Sequence, residues 1–335
     1  MKLALLAALL FAPGRIARAQ GTAIRLISAV NHTFGEPVRH ESQPRWLLGF
    51  VFLALALLGF SLVHRFQVLQ GTDGKLHVYF LDVGQGDSIL IVTPRKTGVG
   101  GRWTESNQCH RALAGPMSST DRSLDMVVMT HIYGDHSRGL LEVLDRYDVA
   151  TVVVGDNPMD DQSSQEWQAR LDRKHIDPIE VSARQVLEVE PGVTLEVLNP
   201  AAVPFVGSGA DRNNNAVVLR LVYGSMSFLL ASDIEAFTED YLVRTSFVLE
   251  SIVLKAAHCG SRSSAIPAFL GQVNPARAVI SAGSGNQFGH PHPEVANRLE
   301  EALGLEGIFR TDRQGTVELI TDGTDLWVST EKDYP

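Results

Sequence analysis

The sequence predicts a layered α/β sandwich, two mixed sheets with helices outside, preceded by a membrane-spanning helix. Three observations carry that expectation. Short apolar runs rich in Val, Ile and Leu alternate with helix-like patterns from residue 76 to the end. Tight polar turns between some of these runs read as hairpins, so parallel and antiparallel pairing are mixed. Ahead of them, residues 47–63 read LLGFVFLALALLGFSLV, 17 residues without a charge.

Composition bounds the rest. A chain of 335 residues with 44% apolar and 20% charged residues has a globular profile, long enough for one large or two ordinary domains with a sizeable core. The charge is divided unevenly. Up to Arg65, seven Lys or Arg face Glu36 and Glu41, a balance of about +5, which leaves about −14 for the remainder of the total of −9. An acidic main body argues against broad, sequence-blind clamping of a nucleic-acid backbone, and leaves room for a small basic strip or a metal-mediated phosphate contact. Cys109 and Cys259 are 150 positions apart, with no C-x-x-C pair, so no disulfide scaffold is implied.

Residues 1–70 read as a membrane-associated segment, with a transmembrane helix near 46–64. At about 1.5 Å per helical residue the apolar run is near the lower limit for crossing a hydrocarbon core, and Arg45, Trp46, His64 and Arg65 suit the two interfaces. Residues 1–12 form a second apolar stretch, too short to span comfortably. A truncated membrane helix or interfacial segment is the favoured reading there, with a signal peptide as the alternative. Residues 23–30 have the pattern of a short amphipathic helix lying on a bilayer. Arg15, Arg18, Arg25, Arg39 and Arg45 precede the span and only Arg65 and Lys75 follow it closely, which by the positive-inside tendency faces the large domain outward.

The body opens with LHVYFLDVGQGDSILIVTP, two strands around a Gly-rich turn at residues 82–87. Residues 95–123 lack periodicity and read as an insertion. A strand over residues 124–129 then delivers a polar turn carrying His131, Asp135 and His136. Two imidazoles and a carboxylate on one turn at the end of a rigid strand suit a borderline-soft divalent ion such as zinc. A helix is expected over 139–147, a strand over 150–154, a helix over 165–174, and strands over 179–181, 185–189 and 194–198. Residues 211–216, DRNNNA, read as a turn, with Asn213 to Asn215 as turn formers. Residues 217–223 and 227–230 form a hairpin around Gly224 and Ser225. It ends at Asp233, a second apolar strand delivering a carboxylate at its carboxyl end. A helix over 235–243 is followed by a strand over 251–254 that runs into His258 and Cys259. A helix over 266–272, a strand over 278–281 and a polar turn with His290 and His292 precede the helix over 294–303. Strands over 307–310, 315–320 and 325–329 close the chain.

The ordered motifs HVYFLDVGQGDSILI, THxxxDHxxGL, NNNxVVLRLxYGxxSFLLxSDIE, LKxxHxGSRxS, GHPHPEV and RTDRxGTVEL resemble the C-terminal metallo-β-lactamase-fold domain of ComEC-type DNA-internalization competence proteins. The resemblance covers roughly residues 75–330, and the segment before it resembles the tail of that family's membrane region, as in a fragment or split form lacking the main channel helices. It implies an αββα sandwich, a metal-dependent hydrolase site and a role in DNA uptake at the bacterial inner membrane. DNA, single-stranded, is the implied substrate, and a separate channel-forming competence protein the implied partner. Residue by residue, it implies His131, Asp135, His136, Asp233 and His258 as ligands of one or two divalent ions, zinc or manganese, with Asp135 and His290 as catalytic residues.

Four departures from the family pattern stand out. Tyr133 replaces a His or Asp, Cys259 a second His, Ser232 a Gly, and an Asp-Gly pair is missing near residues 97–103. A phenol with a pKa near 10 is a poor ligand, so Tyr133 reads as a packing or hydrogen-bonding residue. Cys259 is either a thiolate ligand or, more commonly for this residue, a small buried thiol. Asp82, Gln85 and Asp87 either approach substrate or stabilise their turn, and His292 is either a site residue or an exposed turn residue. Two functions follow: a membrane-anchored phosphodiester hydrolase, or a catalytically silent domain of the same fold serving as a structural or partner-binding part of an uptake channel. A hydrolase with a non-nucleic substrate is a third, since fold alone does not choose chemistry.

Overall fold

The computed structural model describes residues 73–95, 102–103, 112–113, 117, 122–132, 137–155 and 162–333. All of them lie in the second of two units into which the chain divides, residues 66–335. The transmembrane helix expected near 46–64, Cys109, Tyr133, Asp135 and His136 lie outside the described residues. Among the described residues no helix is long and apolar enough to cross a membrane.

Two larger sheets face each other. The first runs in the order β17 (Leu326–Thr330), β16 (Val317–Thr321), β1 (Leu76–Phe80), β2 (Ile89–Val92), β3 (Arg102–Trp103), all antiparallel. The second runs β15 (Ile308–Arg310), β14 (Arg277–Ile280), β13 (Val253–Lys255), β12 (Met226–Leu230), β11 (Val218–Tyr223), β10 (Val193–Asn199), β9 (Val186–Glu190). It is mixed as expected: β12 to β15 pair in parallel and β9 to β12 in antiparallel fashion. A parallel trio, β5 (Val127–Met129), β7 (Val152–Gly155) and β8 (Ile179–Val181), and a pair, β4 (Ser123–Leu124) with β6 (Asp148–Val149), complete the strands.

The pleat sends alternate side chains to opposite faces, and here both faces are covered. Leu76, Val78 and Phe80 of β1, Val317 and Leu319 of β16, and Ile89 and Ile91 of β2 meet Leu195, Leu221, Phe228 and Val253 of the second sheet in a core between the sheets. On the outer side of the second sheet, Leu229, Leu254, Ala278 and Ile280 pack under α4 (Ala236–Arg244), α5 (Pro267–Val273) and α6 (Pro293–Leu303), through Leu242, Phe269, Val273, Val295 and Leu299. Outside the other strands, Leu90, Val127, Met129 and Val152 pack against α1 (Ser137–Arg146) and α2 (Gln162–Lys174), through Leu140, Leu144, Trp167 and Leu171. Helix, sheet, sheet, helix is the layering the sequence predicted.

Both predicted hairpins form, with Phe80 opposite Ile89 and Tyr223 opposite Met226. Three expectations need correction. Only the second sheet is mixed: the first is wholly antiparallel, because tight turns join β1 to β2 and β16 to β17 and β1 pairs β16 antiparallel. Residues 124–129 are not one strand: the chain breaks between β4 and β5 because each half follows its own parallel partner, β6 or β7. The stretch expected as a turn at 211–216 contains a helical turn, α3 (Asp211–Asn214), whose first residue accepts the backbone N–H groups of Gly207 at 2.8 Å and Ser208 at 2.6 Å. Between α4 and α5, the fully buried Glu239 accepts the Ala265 and Ile266 N–H groups, each at 2.7 Å. Burial raises its carboxyl to about 7 against those hydrogen bonds.

Candidate active site

The parallel arrangement of β12, β13 and β14 places their carboxyl ends along one edge, where open α/β sheets commonly bind ligands. Asp233 follows β12, His258 follows β13, and His290 lies on the loop after β14. The end of β5 joins them: Val217 donates its N–H to the carbonyl of Thr130 at 2.9 Å, tying that strand's exit to the second sheet.

His131 and Asp233 face each other, Nε2 to Oδ2, at 3.9 Å, and both are buried. Thr130 Oγ1 lies 3.1 Å from His131 Nδ1. With the ring proton on Nδ1 donating to that hydroxyl, Nε2 presents its lone pair toward Asp233, the tautomer a metal ligand requires. Two ligands of one ion, each about 2 Å from it, fit within such a separation.

Beneath this pair lies a buried ion pair. Lys255 Nζ donates to Asp87 Oδ2 and, at 2.8 Å, to the carbonyl of Ser232, and it stands 3.9 Å from Asp233 Oδ1. Burial, with Asp233 adding to it, raises the Asp87 carboxyl to about 6 against the pull of the Lys255 ammonium. Ser232 adopts a left-handed backbone, φ 50°, and its carbonyl also accepts the N–H of His258 at 2.9 Å.

A second imidazole pair sits alongside. The rings of His258 and His290 meet edge to face with centroids 5.6 Å apart. His258 Nδ1 is 3.5 Å from Glu235 Oε1, which accepts from Asn213 Nδ2 at 3.1 Å. Burial, with the neighbouring His258 imidazole, lowers the pKa of His290. Gln85 spans from the β1–β2 turn to this loop: its Nε2 lies 3.4 Å from His290 Nδ1 and its Oε1 accepts the Gly283 N–H at 3.1 Å.

Of the expected ligands, His131 is brought together with Asp233, and His258 with His290. Asp135 and His136 lie outside the described residues. Among the described residues no three His, Cys, Asp or Glu side chains form a group able to hold a metal, so the described donors supply a pair and not a complete ligand set. Cys259 is buried, and burial, with Asp87 and Asp233 nearby, pushes its thiol well up, so it is a protonated thiol in this setting. Asp82 is a turn former, accepting from Gly84 N–H at 3.2 Å. His292 caps α6, its Nδ1 accepting from Glu294 N–H at 3.3 Å. Sequence reasoning missed Lys255 and Glu235. Lys255 had a signal, an ammonium closing an apolar strand, since a lysine is almost never fully buried without a partner.

The layering and sheet order of the domain are those of a metallo-β-lactamase-like fold. Its relatives are competence proteins, as the motif order implied: it is 27% identical over 258 residues to ComE operon protein 3 of Bacillus subtilis (72% of this chain, 32% of that protein), and 27% identical over 272 residues to competence protein ComA of Neisseria gonorrhoeae (81% and 36%). The chain thus spans about a third of the length of the curated relatives it matches. No protein-family model matches it. Among solved structures, the metallo-β-lactamase-fold protein YhfI of Bacillus subtilis superposes with a TM-score of 0.43 at 12% identity, covering 70% of this chain and 95% of that one. So distant a likeness adds no weight, and the fold assignment stands on sheet order and layering.

Proposed function

We propose that the chain is a membrane-anchored, metal-dependent phosphodiester hydrolase acting on DNA in an uptake system. In this reading the transmembrane helix near 46–64 holds the domain at the outer face of the bacterial inner membrane, and a separate channel-forming competence protein is its partner. The observation that carries the reading is the buried His131–Asp233 pair facing across 3.9 Å at the strand ends. Its relatives' names, a ComE operon protein and a competence protein, supply the uptake context.

In this proposal His131, Asp135, His136 and Asp233 hold a zinc or manganese ion, with His258 available to a second. Bound there, the ion would lower the pKa of a water and withdraw charge from a phosphoryl oxygen. The residues of the chain do the remainder. Thr130 Oγ1, against His131 Nδ1, orients the ring. Lys255, anchored on the Ser232 carbonyl, places its ammonium 3.9 Å from Asp233 Oδ1. His290, whose pKa burial lowers, is the proton acceptor in this reading, with Asp135 as the other catalytic residue.

The test is nicking of a single-stranded oligodeoxynucleotide by the full chain with zinc or manganese. Cleavage by the unsubstituted chain and its loss in Asp233→Asn and His136→Ala is the expected outcome; equal cleavage by the variants would sink the proposal. A second reading, a catalytically silent domain contributing structure or partner binding to a channel, is favoured by one observation: Cys259 is a buried, protonated thiol where a second histidine would serve a two-metal site. Cleavage lost in the variants would dispose of it.

A further inference from the structure

Beside the candidate site an aromatic ring is held out toward solvent. Phe288 is 57% exposed. One side of its ring is stacked on His290, with centroids 5.8 Å apart and planes 28° apart. His290 in turn meets His258, so the exposed ring is the outermost member of a row of rings leading into the candidate site.

The loop that carries Phe288 is clamped. Asn286 Oδ1 accepts the N–H groups of Phe288 at 3.1 Å and His290 at 2.9 Å, while its Nδ2 donates to the carbonyls of Gly283 at 2.9 Å and His290 at 2.6 Å. From the other side the β1–β2 turn closes on Gly283 so tightly that a Cβ there would stand 2.7 Å from Gln85 N. The ring is therefore presented by a fixed backbone, which reduces the ordering cost of anything that stacks on it.

We propose that Phe288 is a stacking platform for an unpaired base of a nucleic-acid strand entering the candidate site; this rests on the hydrolase reading and names the feature that selects single strands. Every base offers a π-face, so an aromatic platform binds without regard to sequence, whereas in a duplex those faces are covered by neighbouring base pairs. The charge balance makes such a platform useful. Residues after Arg65 carry about −14, which repels phosphates overall, so binding of a strand has to rest on contact with its bases.

The experiment uses the full chain in detergent with EDTA to stop turnover. A single-stranded oligothymidylate, an abasic strand of equal length and a duplex are titrated into the Phe288→Trp chain, and its emission is compared with that of the unsubstituted chain. Quenching by the single strand alone is expected. Phe288→Ala should weaken single-strand binding about ten-fold, with Tyr or Trp restoring it. A strand containing 2-aminopurine, titrated into the unsubstituted chain, provides the same readout without a substitution. Equal responses to the abasic strand, no response in either format, or unchanged affinity in Phe288→Ala would overturn the platform. If those failures accompany metal-dependent cleavage by the unsubstituted chain, the hydrolase reading survives without it. If base-dependent quenching is found without cleavage, the platform survives and the hydrolase reading falls.

Discussion

Replacing Lys255 by Met removes the ammonium that pairs with Asp87 in the buried layer below the site while keeping a side chain of similar length. Lys255 is fully buried, Asp87 is 7% and Asp233 4% exposed, so the variant leaves two carboxyl groups in the interior without it. Breaking a buried pair from one side costs about 3–5 kcal/mol, and for a domain of this size each kcal/mol lowers the melting temperature by roughly 2–4 °C, so a drop of about 10 °C is expected. The cost has a pH signature. The folded-state pKa of Asp87, about 6, already lies above its ordinary 3.8, so the stability linked to its proton is complete below about 3.8 and lost as pH rises through 6. Without Lys255 that pKa rises further, so the deficit shrinks as pH falls from 8 toward 5. Adding Asp87→Asn removes one stranded charge and should recover much of the loss. Thermal melts of the full chain in detergent at pH 5 and pH 8 provide the assay. A deficit below about 1 kcal/mol, or one equal at both pH values, would refute the reasoning.

Ser232→Gly should stabilise the domain by about 1 kcal/mol, since Ser232 holds φ 50° and its buried hydroxyl has no hydrogen-bond partner among the described residues; denaturant unfolding reads the gain. Glu239 has a folded-state pKa of about 7 against an ordinary 4.5, so its contribution is complete below about 4.5 and lost as pH rises through 7. Melting temperatures between pH 5 and 8.5 should fall accordingly in the unsubstituted chain and vary less in Glu239→Gln. Gly283→Ala should cost about 1–3 kcal/mol in a thermal melt, because its Cβ would meet Gln85 N at 2.7 Å and Gly84 C at 2.9 Å.

Much of the fold was legible because apolar period and turn chemistry are local. The Gly84–Gly86 turn and the Gly224–Ser225 turn each announced a hairpin, and both hairpins form. The break between β4 and β5 was not legible, because it is imposed by partners more than 20 residues on in the chain. In the site, Asp233 could be read from an apolar strand ending in a carboxylate, a pattern that parallel strands translate into a shared edge, while His258 and His290 were expected from the ordered motifs of the resemblance. The ion pair of Asp87 with Lys255 joins residues 168 apart, and no local pattern connects them. For Asp82 and Asp87 the sequence left turn and site roles open; Asp82 accepts from its own turn, whereas Asp87 is buried against Lys255.

The central claim is that the His131–Asp233 pair is half of a metal centre. Metal analysis of the full chain, purified in detergent without chelators, tests it most directly. About one equivalent of zinc or manganese in the unsubstituted chain, lost in both His131→Ala and Asp233→Asn, is the predicted result. Less than about a tenth of an equivalent in the unsubstituted chain, or equal metal in all three, would contradict it.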